Sequence, residues 1–224
     1  MSDTQRMPRV GDSSPWGRID QAKTLADGIV SVSTASHGGI RLSSELNDAM
    51  PPAFKSSDCW YEEDCDWALV ALIHPEAFSA NQQASAHKTA KNWMPEAYEA
   101  WSGTILQPGE SHTKDHRMFL EQHAQEWLVT TAFGSWHECV PNGYVGVYAV
   151  KGSEYEMRTV AAETRTFLVP EDDYDNRKGG IYICDPAKLS TWHFTKPKSE
   201  QVLDVAPTNA ADQDNDEEVE RPRP

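Results

Sequence analysis

The apolar residues of this chain change period along its length, and each change marks an element. Ile29-Val30-Ser31-Val32-Ser33 alternates at period two, as a half-buried strand does. Ser36-His37-Gly38-Gly39 reads as a turn, and Ile40-Arg41-Leu42 resumes the alternation. The spacing therefore predicts a β-hairpin whose glycines supply positive φ values. Ser43 or Ser44 can cap a short helix running to Met50, where Pro51-Pro52 stops it. Glu62–His74 fits two periods: Trp67, Leu69, Ala71 and Ile73 alternate, while Trp67, Val70, Ala71 and His74 share a helical face. Acids at its start and Pro75 past its end favour the helix. Residues 84–102 read as a helix interrupted near Met94-Pro95 and ended by Gly103, and Ser111 can cap a helix over about 113–126.

Strand patterns follow at Trp127–Phe133, Tyr144–Val150, Thr166–Val169 and Ile181–Cys184, separated by Gly, Pro, Asn and Asp. This order predicts an α+β fold: an N-terminal β-hairpin, central helices and a C-terminal antiparallel β-meander. The hairpin and the Trp60–Ile73 segment each have one apolar face and neither is stable alone. They are expected to pack together, with Trp67 buried against Ile29, Val32 or Ile40.

Composition divides the 224 residues. Residues 1–14 are polar and charge-balanced, and 201–224 carry seven acids against Arg221 and Arg223 with few apolar residues. The expectation is a disordered N-terminal tail (1–14), a single α+β domain (15–200) and a disordered acidic C-terminal tail (201–224). The formal net charge is −15, from 20 bases and 35 acids. The C-terminal tail holds −5 of it and the N-terminal tail none, so the body keeps −10. Such a body repels phosphate backbones, which argues against direct nucleic-acid binding and for a protein partner, above all a basic nucleic-acid-binding protein. Solubility alone is the plain alternative for this charge. Four cysteines without a CxxC pair make no disulfide framework, and no secretory or 18-residue apolar run occurs. These features predict a reduced cytoplasmic protein with no membrane segment.

Two segments concentrate reactive side chains, Ser33–Ser43 and Asp58–His74. His37 is the best general base, and Gly38 and Gly39 after it would let a ligand approach the backbone. Asp58, Glu62, Glu63, Asp64 and Asp66 form an acidic run without a base. Asp66, nearest the apolar stretch, is the carboxylate best placed for catalysis, and the other four for binding. Successive helical residues diverge by about 100°, so few of these acids would converge on one ion, and no calcium-loop spacing is present. His112, His116 and His123 share a helix face but lack the glutamate of an HExxH site. Neither a metal nor a cofactor is expected. His137 and Cys139 are two apart in a loop, which does not make a nucleophile–base pair.

Trp16-Gly17, Gly28-Ile29, the string Ser33–Gly39 (STASHGG) and Trp60–Ala71 (WYEEDCDWALVA) resemble an uncharacterised bacterial domain family carried by plasmids, integrative elements and phages. The resemblance continues through Gly109-Glu110-Ser111, Trp127–Ala149 and Phe167–Pro170, covering roughly residues 15–185. It transfers no catalytic residue. It implies an accessory protein of mobile DNA, and with the acidity it leads to one expectation: a protein that binds a host or element protein, in anti-defence form as inhibitor of a nuclease complex. The alternative is an enzyme, a hydrolase or transferase, with its site near His37 and Asp66.

Overall fold

A computed structural model describes residues 6–156, 162–177 and 180–203. The fold is α+β with antiparallel sheets, and the chain forms two compact units, Met1–Phe119 and Leu120–Pro224, where composition alone suggested one domain over 15–200. Residues 1–5 and 204–224, most of the expected tails, lie outside the described residues. Residues 6–14 do not: Arg6 clamps Asp12 with two hydrogen bonds of 2.8 Å, and Asp12 also accepts from the Arg9 amide.

The first unit opens with a small ribbon, β1 (Ser13–Ser14) and β2 (Gly17–Arg18). A four-stranded sheet follows in the order β3 (Gln21–Ala26), β4 (Ile29–Ser33), β5 (Gly38–Leu42), β6 (Trp60–Glu62). The expected hairpin is the β4–β5 pair, with Ile29 opposite Leu42 and Ser33 opposite Gly38, but Gly38 and Gly39 lie in β5 without positive φ and the turn is 34–37. Gly28, at φ 72°, closes the β3–β4 turn in the left-handed region that favours glycine.

Strand periodicity sends side chains to both faces, and both are covered. Ile29, Ile40, Leu42 and Tyr61 join Phe54 and the buried residues of the helices in the main core. Val30 and Val32 face the other way, against Ile19, Trp16, Met7 and Trp60. The N-terminal segment is thus the second layer over the sheet. The strands expected to be half-buried are consequently more enclosed, and every residue of β5 is buried.

α1 (Ser44–Ala49) is capped by Ser43, whose side chain accepts from the Leu46 amide. The ambiguous segment splits. Its first part pairs with β5 as β6, and its second is α2 (Trp67–Ile73), which buries Ala68, Leu69, Val70 and Ala71. The helix starts only at Trp67 because sheet pairing consumes Trp60–Glu62 and a turn follows. Hairpin and Trp60–Ile73 segment therefore do pack together, as neighbouring strands, but Trp67 is only partly buried against the core. α3 (Ala80–Trp93) begins at a capping box, with Ser79 and Gln82 each satisfying the other's amide. α4 (Pro95–Ser102) starts on its proline and ends at Gly103, φ 69°. α5 (His112–Gln122) leads into the second unit.

The second unit is a five-stranded antiparallel sheet in the order β10 (Ile183–Cys184), β7 (Trp127–Phe133), β8 (Tyr144–Lys151), β9 (Arg165–Pro170), β11 (Ser190–Thr191). α6 (Glu171–Asp175) follows β9. β7, β8 and β9 form the meander, and β10 returns to the β7 edge. One face packs Trp127, Val145, Val147, Phe167 and Cys184, and a second cluster gathers Val140, Leu168 and Trp192. Trp192 is locked by its indole N–H, which donates to the Cys139 carbonyl at 2.8 Å.

Candidate functional site

The site grows from the register of β5 on β6. Gly39 sits opposite Glu62, and the Glu63 amide donates to the Gly38 carbonyl at 3.1 Å. His37 immediately precedes β5 and so arrives beside the end of β6. Its turn is pinned by Thr34, whose hydroxyl donates to the His37 carbonyl (2.8 Å) and accepts from the His37 amide (3.2 Å). The ligand-capable atoms of His37, Glu62 and Glu63 all lie within 4.8 Å of one another. His37 and Glu63 are exposed and Glu62 is partly buried.

The carboxylates here are held by backbone. One oxygen of Glu62, Oε2, accepts from the Asp64 amide at 2.6 Å and the Cys65 amide at 3.2 Å. Asp66 stands at the N-terminus of α2 without capping it. Burial holds its carboxyl above the usual carboxylate range, an effect reduced by the Glu62 amide and reinforced by the Glu62 charge. Burial likewise raises the Cys65 thiol, helped by Glu62, Asp66 and Asp64. Asp66 is not one of the converging trio.

Asp58 lies at the other end of β6. Its Oδ1 accepts from the Trp60 amide (3.1 Å) and the Ser56 hydroxyl (2.7 Å), which braces Cys59 in a left-handed conformation at φ 63°. Arg41 reaches the Asp58 carbonyl, not its carboxylate, and lies 5.4 Å over the Trp60 ring. The acidic run thus divides into a loop brace at Asp58 and a cluster at Glu62–Asp64 beside His37.

Gly38 and Gly39 are both buried, and the chain itself occupies the space beside them. A Cβ on Gly38 would meet the Glu63 carboxylate at 2.5 Å, and one on Gly39 would overlap the Trp16 ring and the Tyr61 carbonyl. Next to Glu63 an open groove of about 300 Å³ runs over the sheet, lined by Lys23, Ser31, Ser33, Trp67, Phe78 and Gln82 among others. Sequence reading missed the groove. Gln21–Leu25 gives no clean signal for it, because Lys23 and Leu25, which share a strand face, are one polar and one apolar.

An acidic α+β chain with a carboxylate–imidazole cluster at a sheet edge is the class that fold and site define. It belongs to the family described as a domain of unknown function (DUF7007), whose model matches residues 9–124. That span contains every site residue named above and stops short of β7. No curated protein and no solved structure matches the chain. Among the described residues no helix is long and apolar enough to cross a membrane.

Proposed function

We propose that this chain is a cytoplasmic accessory protein of a phage or plasmid that binds a basic host or element protein, with inhibition of a nuclease complex as its anti-defence form. The observation that carries the reading is unneutralised charge at the β6 edge. Glu63 and Asp64 are exposed, Glu62 is partly so, and the lysine and arginine ion pairs among the described residues go to other acids. Clustered like charge costs folding energy and favours a partner of opposite sign. Four free cysteines agree with a reducing compartment.

The test uses charge reversal at two exposed positions. Glu63→Lys with Asp64→Lys should remove the protein captured from host lysate by the wild type, and should slow association with it once identified. The wild-type rate should fall as salt shortens the Debye length toward about 8 Å. His37→Ala should leave capture intact. If reversal changes nothing and His37→Ala abolishes function without loss of stability, the binder is the wrong reading and the enzyme near His37 and Asp66 replaces it.

A further inference from the structure

We infer that His37, Glu62 and Glu63 form a binding site for one divalent first-row transition ion of the zinc class. No metal is expected from the sequence, because successive helical acids diverge and neither calcium-loop nor HExxH spacing is present; along the chain, 25 positions separate His37 from Glu62. Antiparallel register removes that separation and brings one imidazole and two carboxylates within 4.8 Å. An ion bound at about 2.0–2.2 Å from each ligand needs donor atoms roughly 3 Å apart, a closure within reach of side-chain torsions. One nitrogen and two oxygens suit borderline ions such as Zn²⁺ or Co²⁺ more than Ca²⁺, which takes six to eight oxygens.

Three further features support the site. The Glu63 carboxylate lies 2.5 Å from where a Cβ on residue 38 would be, so Gly38 makes room for that ligand. Glu62 is oriented through Oε2 by two backbone amides, the kind of outer contact that fixes metal ligands and leaves Oε1 available. Among the described residues the two carboxylates form no ion pair with a lysine or arginine, so a cation would relieve their mutual repulsion. Three protein ligands leave coordination positions open, and Glu63 also borders the groove over the sheet.

This inference does not depend on the partner-binding reading. Its test is titration of the full-length, chelator-treated protein with Zn²⁺ by calorimetry and with Co²⁺ by visible absorption. One ion per chain is expected. His37→Ala, Glu62→Gln and Glu63→Gln should each weaken Zn²⁺ binding at least tenfold. Unchanged far-ultraviolet dichroism of these variants would show that the fold is kept. His112→Ala/His116→Ala should bind as wild type does. Absence of Zn²⁺ and Co²⁺ binding up to about 1 mM would overturn the site, as would binding that survives His37→Ala. Loss only in the His112/His116 double variant would place the ion on α5 instead. Because His37→Ala is expected to keep partner capture, failure of the metal site and failure of the binder are separable.

Discussion

Removing one oxygen atom beneath the site gives a sharp test of how β6 is held. Tyr61 is 1% exposed and Asn47 3%. The Tyr61 hydroxyl donates to Asn47 Oδ1 at 2.7 Å and accepts from the Ser56 amide at 3.1 Å. Asn47 Nδ2 closes the ring by donating to the Ser56 carbonyl at 2.9 Å. Tyr61→Phe keeps the aromatic packing and deletes both contacts. It orphans the Asn47 acceptor in the core, worth about 2 kcal/mol, and costs about 1 kcal/mol at the Ser56 amide, where partial exposure lets water substitute. The expected loss is about 3 kcal/mol. Urea unfolding followed by tryptophan fluorescence should show a midpoint lowered by about 1–2 M at unchanged slope. The double variant Tyr61→Phe/Asn47→Ala should lose less than the sum of the single changes, since the two share one bond. A Tyr61→Phe loss below about 0.5 kcal/mol would refute the reasoning, because the buried acceptor would then have found water or another donor.

Two predictions concern other positions. Gly39→Ala must relieve overlap with both the Trp16 ring and the Tyr61 carbonyl and should destabilise the first unit by about 1–3 kcal/mol, read from the same urea curves, whereas alanine at Gly103, with open space beside it, should cost less despite its positive φ. Burial pushes the Cys184 thiol up from 9.0 to about 12 and, chiefly for the same reason, the Tyr182 phenol from 10.0 to about 12. The folded chain therefore holds more protons than the unfolded chain between about pH 9 and 12, so stability is present below pH 9 and lost as pH rises through that window. The slope of the urea midpoint against pH over 9–11 should flatten in Cys184→Ala, and an unchanged slope would assign the alkaline loss to other groups.

The parts of the fold that were legible are those where local pattern and tertiary role agree. β7 runs over Trp127–Phe133 as its apolar run and following glycine indicate, and the break at Met94-Pro95 separates α3 from α4. β3 was missed because an edge strand with one thin apolar stripe gives a weak signal, and β6 because three residues are too few for a period. The covering role of residues 6–20 was also hidden: Met7, Trp16 and Ile19 are isolated apolar residues in a polar stretch, and only the sheet face they meet gives them a common purpose. For the candidate site, the structure groups the residues singled out in the sequence differently from their order along the chain. His37, Glu62 and Glu63 meet, while Asp58 braces a loop and Asp66 starts a helix. Register, which spacing along the chain cannot express, makes that choice.

The acids of β6 also admit a purely structural purpose. Both faces of the first sheet are covered by its own chain, so only its edges, β3 and β6, remain for pairing with another strand. Charge on an edge strand prevents such pairing, and glutamates at the end of β6 suit that role. The two purposes respond differently to sign. Lysine protects an edge as well as glutamate does, so charge reversal should leave the chain monodisperse if protection is the whole account. A basic partner and a divalent ion both require negative charge and would be lost together on reversal at Glu63. Neutral Glu62→Gln keeps the acceptor for the Asp64 and Cys65 amides and removes only the charge. Aggregation after that change, with partner capture and ion binding untouched, would assign the acids to edge protection and to nothing more.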